Sequence, residues 1–225
     1  MTARSVSRKK PARNAKPALG LREQNKLDKR ERIRAAAAEL FKRHGYGAAT
    51  MRQIAQRAHV GLGTLFNYAE DKRDLVFLIF NVELAAIIDD GLKDSRPGDA
   101  LVTQLIAVFR SHYRHLGAKP ELTRILLQEL TFYSAGKQAK SFLQIRQRLM
   151  DGIEQLVQAA QGDGRILSKE DPELIARHLF FLYSAAIRWW IAAPRPDAEA
   201  GLDDLRCLLE LQINGLSPAK RAAQA

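Results

Sequence analysis

Between Thr50 and Lys72 the chain concentrates side chains suited to reading a nucleic acid rather than to breaking bonds. Arg52 can donate two hydrogen bonds to a guanine edge, and Asn67 can bond an adenine bidentately; Thr64, Tyr68 and Lys72 suit phosphate oxygens. Bond-making chemistry finds little support elsewhere. The five histidines, His44, His59, His112, His115 and His178, are mostly isolated. His112 and His115 share a helix face, but the sequence sets no third metal ligand beside them. There is no Walker loop, dinucleotide glycine fingerprint or nucleophile elbow, so no enzyme, metal or cofactor is expected.

The elements that must hold these groups are short helices. Thr50 and Gln53 form a capping box, which predicts a helix from Met51 with Ile54 and Ala55 on its buried face, stopping near His59. Val60 and Gly61 make a turn, and Leu62, Leu65 and Phe66 supply a second apolar face one helical turn long. Two short helices joined by a tight turn have the geometry that puts a recognition helix into the major groove. Ile54, Ala55, Val60, Leu65 and Phe66 then lock the pair together, and Thr50, Arg52, Leu62, Gly63, Thr64, Asn67, Tyr68 and Lys72 are left to meet DNA. Lys72 also falls in the first turn of a fourth helix, where free amides favour an anion.

Ile33, Ala36, Ala37, Leu40 and Phe41 predict a preceding helix from Asp28, stopped by Gly45. Asp71 caps the fourth helix, which runs through Leu75, Leu78, Ile79, Val82 and Ile87 to near Gly91. The same period continues in helices near 99–117, 120–135, 138–161, 171–193 and 202–215, punctuated by Pro97, Gly98, Pro120, Gly162, Gly164 and the Asp171-Pro172 cap. The expected class is therefore all-α, with about nine helices.

Charge divides the chain in the same place. Its formal net charge is +11, yet residues 1–75 hold 18 Lys and Arg against 7 Asp and Glu, and residues 76–225 hold 18 of each. One end is thus marked as the polyanion-binding module. The expected organisation is a disordered basic arm at 1–24, a DNA-binding domain at 25–75, a ligand-binding and dimerisation domain at 76–217 and a tail at 218–225. Hydrophobic residues make up 46% of the chain, enough for a real core, while no window approaches a membrane span. Cys207 sits in the apolar run Leu205–Leu211, which predicts a small buried hydrophobe, and a single cysteine fits a reducing cytoplasm.

The run TMRQIAQRAHVGLGTLFNYAEDKRDLV from Thr50 resembles the TetR/AcrR family of bacterial repressors in order, spacing and residue type. A Thr precedes Ile-Ala, then come Ala-x-Val, Gly-Thr-Leu, an aromatic and Lys-x-x-Leu. Ile33, Ala36, Leu40, Phe41 and Gly45-Tyr46 extend the match over residues 28 to about 80. Gly61 stands where the family usually has a capping Ser. Phe66 stands where it often has Tyr, so that phosphate contact is lost and Tyr68 is the substitute. Ala69 replaces a customary Phe.

The resemblance implies a two-fold dimer, paired through helices near 172–193 and 202–215, that binds a palindromic double-stranded operator and is released by a small effector. A dimer spaces its recognition helices about 34–36 Å apart, matching successive major grooves. Helix 4, moved at Val82 or Ile87, is the expected lever. The basic arm reads two ways, as a groove or phosphate contact and as an inert tail. The neutral, aromatic-rich C-terminal half suggests an apolar or aromatic effector, with Phe109, His112, Tyr113, Gln128, Tyr133, Arg146 and Tyr183 as candidate contacts. Two other classes stay open on the residues alone: a helical enzyme, and a nonspecific basic adaptor for nucleic acid or membrane.

Overall fold

Where the apolar period meets a cap, the chain turns helical. The computed structural model describes residues 20–214, and among these are nine helices and no strand. They are α1 Leu21–His44, α2 Met51–Arg57, α3 Leu62–Phe66, α4 Lys72–Asp94, α5 Leu101–Gly117, α6 Pro120–Glu129, α7 Ala139–Gly162, α8 Pro172–Ile191 and α9 Ala198–Asn214. Residues 1–19 of the expected arm and the expected tail at 218–225 lie outside the described residues.

The first three helices form a head around Ile33, Ala37, Phe41, Ile54, Ala55 and Leu65, all buried. Helix α1 ends at Gly45, whose φ of 81° is the left-handed conformation that glycine adopts without steric cost. Its start differs from expectation. It begins at Leu21, ahead of Asp28, so residues 21–24 are helical and not part of an unstructured arm. The reason is local, because Arg22, Glu23, Gln24 and Lys26 are good helix formers that extend the helix with no apolar face to announce it.

Helix α4 is the central post, packing against α1, α5, α6 and α7. Leu75 to Asn81 are buried on all sides, so the boundary expected after residue 75 falls inside one continuous helix. Opposite charges brace the head against the rest. Glu83 on α4 accepts from Arg34 of α1 at 3.1 Å, His115 of α5 at 2.8 Å and Lys119 at 2.8 Å. Partial burial opposes ionisation of Glu83, but the hydrogen bonds from His115 and Lys119 outweigh it and hold its pKa at about 2.

Helix α6 stops at Glu129, short of the expected 135, and Phe132 just beyond it has a left-handed φ of 60°. The competing pull comes from long-range hydrogen bonds made by residues 130–138, described below. Helix α9 starts at Ala198, earlier than expected, because the Asp197 carboxylate accepts the Glu199 and Ala200 amides at 2.9 and 3.0 Å. Cys207 is exposed on α9. The apolar run suggested burial, but Leu205 and Leu209 take the inner face of the helix and Cys207 falls between them on the outer one.

Candidate functional site

Each end of the helix-turn-helix is fixed by its own residues. The Thr50 hydroxyl accepts the Gln53 amide at 3.2 Å while the Gln53 side chain accepts the Thr50 amide at 2.9 Å, completing the capping box. At the other end of α2 the His59 amide donates to the Gln56 carbonyl and the Val60 amide to the Ala55 carbonyl, both at 3.0 Å. That pair of bonds is a Schellman motif, and His59 takes its left-handed position at φ 52°. Removing the Thr50 hydroxyl in Thr50→Ala is expected to cost about 1 kcal/mol. A thermal melt should read that as a fall of about 2–4 °C.

The turn leaves Arg52, Gly63 and Asn67 exposed, with Leu62 and Thr64 half-buried beside them. Tyr68 and Lys72 are tied into the head. The Tyr68 hydroxyl donates to the Lys26 carbonyl at 3.2 Å, and Lys72 Nζ donates to the carbonyls of Tyr46 at 2.7 Å and Gly47 at 2.9 Å while lying 4.9 Å over the Tyr46 ring. Phe66 departs from expectation, being 44% exposed rather than locked between the helices. The inner position is taken by Ala69, fully buried. A five-residue helix has too little periodicity to distinguish the two sides of its last turn, so Phe66 was missed as a surface residue of this face.

The C-terminal half contains a cavity of about 340 Å³, partly open to the surface, between α4, α5, α6, α7 and α8. Leu84, Ile88, Leu126, Phe142, Leu149 and Ile187 make most of its wall, with His112 and Tyr183 among the buried lining and Arg146, Arg188, Phe132 and Phe181 among the exposed lining. Arg146 lies 5.5 Å over the Phe180 ring, and an Arg188 guanidinium nitrogen donates to the Ser184 carbonyl at 2.7 Å. The lining is thus mostly apolar and includes two guanidinium groups.

Of the expected effector contacts, His112, Arg146 and Tyr183 come together here. Phe109 stands behind them, stacked on Tyr183 at 4.0 Å. Tyr113 is instead packed against Trp190 at 4.6 Å, and Gln128 is exposed and outside the lining. Tyr133 turns toward α4, stacked on Phe77 at 3.6 Å with its hydroxyl donating to Asp74. Helix periodicity assigns a residue to a face without saying which neighbour that face meets, which is why it does not separate these three from the residues that line this cavity. From α4, Leu84 and Ile88 line the cavity, while Val82 is 55% exposed. Arg188 and Phe132 were not foreseen.

A second network escaped the sequence altogether. The segment after α6 carries Leu130, Thr131 and Phe132 into the cavity rim and is fastened to the head by polar groups. Arg73 donates to the carbonyls of Glu129, at 2.8 Å through Nε, and of Thr131, at 2.5 Å. Buried Asp74 accepts the Glu70 amide at 2.8 Å, the Lys137 amide at 2.9 Å and the Tyr133 hydroxyl. Gln138 Nε2 donates to the Tyr68 carbonyl at 2.9 Å, and Asn81 Nδ2 donates to the Gln138 carbonyl at 3.2 Å. A buried carboxylate with this many donors links the end of α3 to the rim of the cavity.

Among the described residues no group of three or more His, Cys, Asp and Glu could hold a metal ion, and no helix is long and apolar enough to cross a membrane.

Comparison with known proteins follows the same division. Residues 33–79 match the model described as bacterial regulatory proteins, tetR family, and residues 98–200 match the tetracyclin repressor-like C-terminal domain. The HTH-type transcriptional regulator YhgD of Bacillus subtilis is 28% identical over 195 residues, covering 84% of this chain and 99% of the relative. The fatty acid metabolism regulator protein of the same organism is 23% identical over 191 residues, covering 80% and 92%. Among solved structures, Thermus thermophilus FadR in complex with lauroyl-CoA superimposes with a TM-score of 0.64 at 25% identity, covering 87% of this chain and 99% of that one.

Proposed function

The chain belongs to the TetR family of bacterial regulatory proteins, and from that premise we propose that it is a repressor released from its operator by a long-chain acyl thioester. It is a ligand-responsive, DNA-binding transcriptional regulator. The observation that carries the effector class is the cavity: its mostly apolar lining suits an acyl chain, and Arg146 and Arg188 in the same lining suit an anionic headgroup. The lauroyl-CoA bound by the Thermus thermophilus relative supports that class.

On the DNA side, exposed Arg52 and Asn67 are the base-reading groups of this proposal, half-buried Thr64 suits a phosphate oxygen, and Leu62 and Gly63 allow close approach. Thr50, Tyr68 and Lys72 chiefly hold the geometry while lying near phosphate oxygens. The operator is a palindrome bound by a two-fold dimer. Support for the dimer comes from α8 and α9, where Trp189 is 80% exposed and Leu174, Phe181, Leu208 and Leu211 are also exposed.

Release requires the effector to favour a conformation that DNA does not. The rim segment 130–138 is the proposed transmitter, because ligand pressing on Leu130, Thr131 and Phe132 moves carbonyls and amides held by Arg73, Asp74 and Gln138. Helix α4 then carries the shift into the head.

The test is operator binding by the purified protein, with and without lauroyl-CoA. A palindromic footprint that disappears on adding lauroyl-CoA is expected, and Arg52→Ala should weaken the operator complex by about tenfold to a hundredfold. A footprint indifferent to acyl thioesters of every chain length would remove the effector assignment, and sequence-indifferent binding unaffected by Arg52→Ala would remove the operator-reading assignment.

A further inference from the structure

His112 is 2% exposed on α5 and lines the cavity. Its Nδ1 lies 3.2 Å from the Val108 carbonyl, one turn earlier. A carbonyl oxygen only accepts, so Nδ1 carries the ring's hydrogen. Burial pushes the His112 pKa down to about 4, which leaves the imidazole neutral at pH 7 with a lone pair on Nε2. Among the described residues His112 makes no other hydrogen bond. Beside it stands buried Tyr183, edge-to-face with the imidazole at 5.7 Å between ring centroids.

A plain alkyl chain filling this space would cover Nε2 with methylene groups and strip it of water. An acceptor buried without a donor costs free energy, and a ligand group that donates to it recovers that loss. We infer, resting on the effector class proposed above, that the cavity selects an acyl chain bearing a hydroxyl, which donates to His112 Nε2. A ketone at that position would face Nε2 lone pair to lone pair, so the imidazole distinguishes alcohol from ketone.

The experiment is calorimetric titration of the full chain with lauroyl-CoA and with three hydroxylauroyl-CoA isomers, the hydroxyl near the thioester, at mid-chain and at the terminus. The O-methyl ether of each isomer keeps the oxygen and loses the donor. At least one hydroxy isomer should bind about tenfold tighter than lauroyl-CoA, as one net hydrogen bond to a buried acceptor implies. Its O-methyl ether should lose that preference. His112→Leu, checked for folding by an unchanged operator footprint, should bind lauroyl-CoA and the hydroxy isomer with equal affinity, losing the preference for the alcohol. The wild-type comparison decides the matter even if that variant fails to fold. Equal affinity for lauroyl-CoA and every hydroxy isomer, with operator release intact, overturns the inference and leaves the effector class standing. Failure of all the thioesters to bind overturns both.

Discussion

Asp74→Ala should lower the free energy of unfolding by roughly 3–5 kcal/mol and leave any operator complex unresponsive to effector. Its carboxylate is 1% exposed and accepts the amides of Glu70 and Lys137 and the Tyr133 hydroxyl. Alanine would orphan all of these donors at once in a site with little room for water. Asp74→Asn keeps the volume but turns an amide group toward N–H donors, so an intermediate loss is expected. Tyr133→Phe removes a single hydroxyl and should cost about 1 kcal/mol. Urea titration at constant m-value measures the series. The same network can be struck from its other side. Gly136 has a φ of 119°, and a Cβ there would overlap the Asp74 carboxylate, so Gly136→Ala combines backbone strain with a steric clash. Because the two sites touch, the Gly136→Ala, Asp74→Ala pair should be markedly non-additive. An Asp74→Ala protein that unfolds at the wild-type midpoint and still releases DNA would show the carboxylate to be incidental.

The second large effect is expected at Gly91, where α4 and α5 cross. A Cβ on Gly91 would overlap the Val108 carbonyl oxygen and lie 3.0 Å from its Cα. These are backbone atoms of a helix interior, so no side-chain rotation relieves the contact and the helices must separate. Gly91→Ala should therefore cost roughly 2–3 kcal/mol, at the upper end of overpacking. That corresponds to a melting temperature lowered by roughly 5–10 °C. The Val108 carbonyl is also the acceptor that orients His112, so binding in the cavity should weaken together with stability. Gly152 offers a control, since its added Cβ would meet only Leu92 side-chain atoms, which can rotate. If Gly91→Ala melts like wild type, or no lower than Gly152→Ala, the close crossing does not hold in solution.

What could be read from the sequence was mostly local. The Thr50–Gln53 capping box, the Asp71 cap and the Pro120 and Pro172 starts act within a few residues, so the helix-turn-helix and the order of nine helices were legible. The exposed face of the helix-turn-helix was legible for the same reason, apart from Phe66, whose side of α3 depends on Ala69 filling the inner space. Non-local choices were not. Where α6 ends is decided by Arg73, Asp74 and Gln138 gripping the following segment, and nothing near residue 130 carries that information. Tyr113, Gln128 and Tyr133 sit at helical spacings as good as those of His112 and Tyr183, but only the packing of α5, α7 and α8 determines which of them see the cavity. Cys207 shows the same limit, since an apolar run of a helix still has an outer face.

The grip of the head on the rim is almost entirely a grip on main chain. Arg73 holds the carbonyls of Glu129 and Thr131, Asp74 holds the amides of Glu70 and Lys137, and Gln138 holds the carbonyl of Tyr68. Main-chain atoms are present whatever the side chain. Leu130, Thr131 and Phe132 can therefore be exchanged for residues that welcome a different molecule without rewriting the connection to the recognition helix. On the proposed route from rim to head, selectivity and output are separable, which makes residues 130–132 the place to retarget the sensor and Arg73, Asp74 and Gln138 the ones to leave alone.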